Sequence, residues 1–410
     1  MPNDHAQKYC SVCGKGNARQ LIDFGKQVVC HHFLRDPKDD FYAHDLAVGQ
    51  CDSCGTVQLM NPMPLEQLKP RYDWLTCTEP EAHLDRLVET IAQLPGITKD
   101  SKICGISFKD DSTLGRLKKL GFKNIWRADP VRELGIPDPK ARIESVQEYF
   151  SAESAERLIK IHGKADIFIA RHIIEHAHHF RRFLELSKQL LNPQGYVVFE
   201  IPDCERAFEK CDYTTMWEEH AIYFTKETFR SCFHLNGLSL VHFEHIPYSI
   251  EDSYVGIAKI DKAGDMPAVK KSDLSQEISR ARKFADEYQN KKNKIQEFLK
   301  DYRQKKGKIA LFGGGHMSCV FLNLFDLKNC VEFVVDDNPH MRGLFMPGSR
   351  LPILESKAIY DDGVKLCILT LSTSSEEKVI KNNQGFLEKG GAFASVFPGS
   401  RWALNLNGRI

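Results

Sequence analysis

The stretch "TMWEEHAIYF", residues 215–224, sets Glu218, Glu219 and His220 among Trp217, Tyr223 and Phe224. A surface helix has no need of so many aromatic rings beside that charge. On the residues alone two readings stay open. His220 is either a core histidine satisfied by a neighbouring carboxylate, or a base held in a pocket. A neutral imidazole, with an ordinary pKa of about 6.5, suits proton removal near neutral pH.

A second constellation lies at the N-terminus. "CSVCG" carries Cys10 and Cys13, and "CDSCG" carries Cys51 and Cys54. Each pair is followed by glycine, which accepts the positive φ of a tight turn. This is the knuckle of a zinc ribbon, and two knuckles supply four thiolates for a closed, structural site. A short module with little core then folds by binding its metal. Cys30 lies outside both knuckles and reads as a small apolar residue.

The elements that position these groups follow from the hydrophobic pattern. Residues 1–62 form the metal-binding module. Residues 63–98 read as a helical connector, with Leu84, Leu87, Ile91 and Leu94 at helical spacing. Residues 99–260 alternate strand and helix, as in "KICGIS", "NIWRAD", "ADIFIARHII" and "YVVFEIPD". That alternation predicts an α/β unit with a doubly wound, Rossmann-like parallel sheet, closed by "SLVHFEHIP" and "SYVGIAKI". Residues 261–306 read as a solvated helical linker. Residues 307–410 begin a second, smaller α/β unit at "KIALFGGGHMSCVF".

Composition bounds the function. The chain has 410 residues, too many for one ordinary core, and a net charge of +1. Nothing in it forms a nucleic-acid footprint or a polybasic membrane patch. No long apolar run predicts a membrane span. Thirteen cysteines without a secretion signal point to thiols and metal, with the cytoplasm as the expected compartment. In a nucleotide-binding fold the acid ending the second strand holds a ribose hydroxyl pair, and Asp129 in "WRADP" stands there. The preceding loop, "GISFKDDST", has a single glycine, Gly105. The glycines of "FGGGH" suit a phosphate or simply a tight strand-to-helix turn.

Taken in order, "CSVCG…CDSCGTVQLMNPMP", "ADIFIARHIIEHAHHF", "EIPD…TMWEEHAIYF" and "FVVDDNPHMRGLFMPGSRLPI" resemble a known family. It is the sugar C-methyltransferases that use S-adenosylmethionine and act on nucleotide-linked 4-keto-deoxysugars. The resemblance covers nearly the whole chain. It implies a zinc module, a central methyltransferase domain and a C-terminal domain that helps hold the nucleotide of the substrate. It implies Cys10, Cys13, Cys51 and Cys54 as zinc ligands. His220 is the implied base with Glu219 as its partner, and His176 and Tyr72 belong to the same pocket. Gly105, Asp110, Asp129, Phe150 and Arg171 fall on the side of the methyl donor. Trp217, Tyr223, Gly313, Gly315 and Asn338 fall on the side of the sugar nucleotide.

The chain departs from the family pattern at three places. Trp217 replaces a tyrosine and cannot move a proton. Glu218 replaces a histidine. Ser107 and Asp111 replace two glycines of the donor loop, and the charge of Asp111 either holds the donor's cationic end or opposes its binding. Two functions are therefore weighed: methyl transfer to C3 of a keto-sugar, or a relative without its methyl donor that binds or only enolises the nucleotide sugar. The sugar, the nucleotide and the oligomeric state are not legible.

Overall fold

A computed structural model describes residues 9–72, 74–75, 79–138, 142–249, 251–260, 270–361 and 363–406. Three sheets organise it. The N-terminal sheet contains β1 (Ala18–Val28), β2 (Ala43–Cys51) and β3 (Val57–Leu59), all antiparallel. Its fourth strand comes from far along the chain, at Ile222–Tyr223. Val57 faces Tyr223 and Gln58 faces Ile222 across that pairing. The opening motif therefore completes the sheet of the N-terminal unit that carries the four knuckle cysteines.

The central sheet is built from β4 (Lys102–Gly105), β5 (Asn124–Arg127), β6 (Ala165–Arg171) and β7 (Leu191–Pro202), all parallel. Ile222–Tyr223 is β8. Two antiparallel strands, β9 (Leu238–Ile246) and β10 (Ser253–Ile260), complete the order β5-β4-β6-β7-β10-β9. Helices cover both faces of β6 and the inner strands, so these read as continuous apolar runs rather than as alternation. The chain reverses its winding between β4 and β6. A ligand of such a sheet sits at that switch, outside the carboxyl ends of the strands. Gly105 and Asp129 stand at those ends.

The third sheet is wholly parallel: β11 (Lys308–Phe312), β12 (Phe333–Val335), β13 (Ile353–Leu354), β14 (Val364–Leu369) and β15 (Ala392–Ser395), ordered β13-β12-β11-β14-β15. The α/β architecture expected from the sequence is present. Among the described residues no helix is long and apolar enough to cross a membrane.

Two expectations change. Among the described residues of the connector the α-helix is Leu84–Ala92, where Leu84, Leu87, Val88 and Ile91 are buried. Its first half makes a single turn at Leu65–Gln67. Pro70 disfavours the helical conformation of the residue before it, and Tyr72 and Trp74 pack on Phe33 instead. The segment read as a solvated linker is one helix, Lys271–Lys305, which buries Ala281, Phe284, Tyr288, Ile295 and Leu299. It touches all three units. The Gln50 amide donates to the Glu277 carbonyl, the Tyr213 hydroxyl to the Phe284 carbonyl, and the Tyr288 hydroxyl to the Leu324 carbonyl. Its apolar stripe is narrow, and for that reason its average composition looks solvated.

Candidate active site

Two short segments carry the site. The first follows β6. His172 takes φ 48°, a left-handed conformation unusual for a non-glycine residue that concentrates at functional sites. Its N–H donates to the Glu200 carbonyl. The chain then makes a single turn, Ile174–His176, with Ile174, Glu175 and His176 all buried. The second segment is the opening motif. Asp212 caps the turn Tyr213–Thr215 by accepting from the Thr214 N–H at 3.0 Å. The Tyr223 hydroxyl donates to the Trp217 carbonyl at 2.6 Å, and the His220 N–H donates to the same carbonyl at 3.1 Å. With β8 paired to β3, His220 is fixed from both sides.

These segments bring His176 and His220 together, with ring centroids 4.6 Å apart and planes at 80°. His220 is 7% exposed and its Nδ1 is buried with no hydrogen-bond partner. Burial, together with the positive fields of His176 and His316, pushes its pKa well below the ordinary value, so the ring is neutral. Glu219, the expected partner, turns elsewhere. Its Oε1 lies 3.0 Å from His31 Nδ1. Burial alone would raise the Glu219 pKa, but the His31 contact outweighs it and holds it at about 2. Burial equally opposes charge on His31, and Glu219 overrides it, so the His31 pKa is raised. Glu218 is buried and accepts from the Cys30 N–H at 2.6 Å. Burial and the charge of Glu219 lift its pKa to about 7.

The C-terminal unit reaches the same place. His316 stacks on Trp217 with centroids 3.5 Å apart, and its Nδ1 is 3.7 Å from Glu218 Oε2. A cavity of about 10 Å³, lined in part by Cys30, Met216, Glu218 and Cys319, lies beside it. That is room for a single water. His31, Glu144, Glu175 and His316 escaped the sequence reading. The available signals were the "HH" beside Cys30, the Glu175 next to His176, and the histidine directly after the glycine turn.

The donor side is mixed. Asp129 is half-buried at the end of β5, where its Oδ1 accepts from the Val131 and Arg132 N–H groups. Its Oδ2 has no partner among the described residues, which fits a ribose hydroxyl pair. Asp110 is fully buried. Its Oδ2 accepts from Ile106 and Ser107 and its Oδ1 from the Arg171 N–H, so it builds the loop rather than facing a ligand. Burial raises its pKa to about 6 against those three donors. A Cβ at Gly105 would stand 2.9 Å from the Asp110 Cβ, which explains the glycine. Asp111 pairs with Arg127 at the half-exposed start of the next helix.

Three residues placed near a ligand by resemblance lie in the interior. Phe150 is buried between Phe168 and Phe183. The Arg171 guanidinium is bonded to Glu200 and to the Lys109 carbonyl, bracing the donor loop. Tyr223 is fully buried with its hydroxyl committed to Trp217. Tyr72 donates to the Phe33 carbonyl and packs on Phe33 and Trp74, away from the histidine pair's contacts. In the C-terminal turn Gly313 takes φ 106°, while a Cβ at Gly315 would meet open space. Asp336 takes the N–H of Gly314 and Asn338, and the Asn338 side chain caps the His340 N–H. Those contacts account for a tight turn.

The four knuckle cysteines converge. The Sγ atoms of Cys10 and Cys54 are 3.6 Å apart, and those of Cys13 and Cys51 3.7 Å. Four sulfurs about 2.3 Å from one ion stand about 3.8 Å apart in a tetrahedron, so the set fits zinc. Gly14 and Gly55 take φ 65° and 78°, as the knuckles require. The N–H groups of Cys13, Gly16 and Ser53 point at the sulfurs.

Residues 13–243, more than half of the chain, match the family model described as "Methyltransferase domain". The chain belongs to the methyltransferase family. Residues 264–398 match the model described as "C-methyltransferase C-terminal domain", so the enzyme is a C-methyltransferase of the S-adenosylmethionine-dependent class. Over 410 aligned residues it is 23% identical to C-methyltransferase NovU of Streptomyces niveus, covering 96% of each chain. Among solved structures it is similar to the 1,6-didemethyltoxoflavin-N1-methyltransferase of Burkholderia thailandensis, with 11% identity over 44% of this chain and 80% of that one and a TM-score of 0.30. It is also similar to the magnesium protoporphyrin IX methyltransferase of Synechocystis, with 13% identity over 44% and 83% and a TM-score of 0.31.

Proposed function

We propose that this enzyme transfers a methyl group to C3 of a nucleotide-linked 4-keto-deoxysugar, with His220 as the base. The observation that carries the reading is the meeting of three units on one neutral imidazole. The N-terminal sheet holds β8 beside it, the central unit supplies His176, and His316 of the C-terminal unit covers it through Trp217. A carbon next to a ketone is acidic enough to lose its proton to a neutral imidazole held against it. The donor supplies an electrophilic methyl group. The chain's part is to hold the two reactants in line and to keep water away with Trp217.

His220 takes the proton. With its pKa depressed, the imidazole depends for that step on the stacked environment and on stabilisation of the developing enolate, and Lys109 and His176 contribute positive potential there. Asp129 holds the ribose of the donor. Zinc at Cys10, Cys13, Cys51 and Cys54 is structural. It tethers β2 and β3, and through them β8 and His220.

The test follows the substrate hydrogen. In D2O with S-adenosylhomocysteine present, the enzyme exchanges hydrogen at C3 of a nucleotide 4-keto-6-deoxysugar, and with S-adenosylmethionine it methylates that carbon. Methylation at oxygen, or none of any keto-sugar offered, would sink the reading. Exchange without methylation would favour enolisation alone.

A further inference from the structure

Beside the proposed base lies a buried carboxylate that proton abstraction does not use. Glu175 is buried, yet neither of its carboxylate oxygens has a hydrogen-bond partner. A buried carboxylate costs several kcal/mol unless a cation or donors meet it. The nearest positive charge on its own turn is His172, whose Nδ1 is 3.6 Å away, and His176 Nε2 is at 4.0 Å. The Nδ1 atoms of His176 and His220 are likewise buried without hydrogen bonds. One ligand atom from each of Glu175, His176 and His220 lies within 4.8 Å of the others.

Two imidazoles and a carboxylate are a common donor set for first-row divalent ions, leaving open positions for other ligands. The surroundings add the outer contact such sites show. His176 turns Nε2 towards Glu175, while its Nδ1 faces Glu144 Oε1 at 3.5 Å. A metal-bound histidine ordinarily presents its second nitrogen to a carboxylate in this way. Ligands about 2.1 Å from an ion stand about 3.4 Å apart, so the three atoms would close by up to about 1.4 Å, within reach of side-chain rotation. The site is separate from the knuckle cysteines and uses no sulfur.

We propose that Glu175, His176 and His220 form a second metal site, which takes a divalent zinc-like ion and switches methyl transfer off. The ion occupies the lone pair with which His220 removes the substrate proton. The inhibitory effect rests on the proposed base, whereas the binding itself does not. Glu144 is a positioning residue that orients His176.

Cobalt(II) alone is the probe, titrated into full-length enzyme carrying one zinc per chain. A second equivalent binds, with the visible bands of nitrogen and oxygen ligation and no thiolate charge-transfer band. Glu175→Gln and His176→Asn each weaken it at least tenfold. Glu144→Gln keeps the stoichiometry and weakens binding about 10–100-fold. X-ray absorption on the wild-type protein reads the ligand set without any variant, so a variant that fails to fold decides nothing by itself. No cobalt bound beyond the one zinc per chain, sulfur in the second ion's shell, or undiminished binding in both Glu175→Gln and His176→Asn would overturn the site. In the D2O exchange assay the ion inhibits with the half-saturation seen in the titration, and a different dependence overturns the switch. Absence of exchange in metal-free enzyme would remove the base reading while leaving the binding result standing.

Discussion

Glu219 Oε1 lies 3.0 Å from His31 Nδ1, so the acid next to His220 in sequence is tied to a different histidine in space. The contact joins the segment of His220 to the N-terminal module at the point where β8 also joins it. Its loss in either direction leaves a largely buried group without its partner. Replacing Glu219 by Gln or His31 by Asn is expected to cost about 1.5–3 kcal/mol each, the range for hydrogen bonds to charged groups. The double variant should fall short of the sum by at least about 0.5 kcal/mol, as coupled neighbours do. The pH signs are opposite. The raised pKa of His31 gives stability that is full below about 6.5 and fades as pH rises through the raised value. The depressed pKa of Glu219 gives stability that is full above 4.5 and fades as pH falls towards about 2. Urea melts of the four proteins across pH 2 to 9 check both, and strict additivity would contradict the pairing.

His220 is 7% exposed and has no hydrogen bond on Nδ1, so the melting temperature of His220→Asn is read beside its activity to separate folding from chemistry. His220→Asn is expected to lower kcat about 10²–10⁴-fold, the usual contribution of a positioned general base. The shifted pKa makes a further demand. The base is already unprotonated well below 6.5, so kcat/KM should show no acid limb at that pH. Glu218, lifted to about 7 by burial, is a group of this cluster that titrates near neutrality, beside His31 with its raised pKa. A limb near 7 that survives in His220→Asn residual activity and disappears in Glu218→Gln would assign it to Glu218. A limb at 6.5 that vanishes with His220 would contradict the buried, neutral ring.

Much of the architecture was legible because it repeats local rules. The glycines after each cysteine pair and the β-α alternation each announce one element. What stayed hidden depends on contacts between distant segments. No local pattern marks Ile222–Tyr223 as a two-residue strand, because it exists only through β3. The helix Lys271–Lys305 shows few apolar residues, because its narrow stripe meets three units at single points. Phe150 and Tyr223 were placed near ligands by resemblance, whereas their own environments bury them completely. The "HH" beside Cys30 and the histidine after the glycine turn were the signals for His31 and His316, but no local pattern relates the first and last units to position 220.

The metal module has a consequence at the other end of that strand pairing. β2 ends at Cys51, β3 follows Cys54 after two residues, and β8 hangs on β3. Stripping zinc should therefore loosen His220 as well as the knuckles. Cys54→Ser, or a chelator strong enough to remove zinc, is expected to lower the melting temperature and to abolish methyl transfer together, with one zinc released per chain. Full activity in a verified zinc-free protein would break the link between the module and the site.

Asp129 gives the sharpest separation between donor and acceptor binding. Its two oxygens have different duties. Oδ1 holds the turn at Val131 and Arg132, and Oδ2 has no partner among the described residues. Asp129→Asn keeps an oxygen for the turn and replaces the charged acceptor by an amide. If Oδ2 faces a ribose hydroxyl pair, that change removes a charge-assisted hydrogen bond worth about 1.5–3 kcal/mol. S-adenosylhomocysteine binding measured by calorimetry should then weaken about 10–100-fold, with nucleotide-sugar affinity unchanged. Asp129→Ala loses the turn as well, so it should also lower the unfolding free energy, which Asp129→Asn should leave within about 1 kcal/mol of wild type. Unchanged S-adenosylhomocysteine affinity in Asp129→Asn would mean that the carboxylate only shapes the turn, and the donor would have to be sought away from the end of β5.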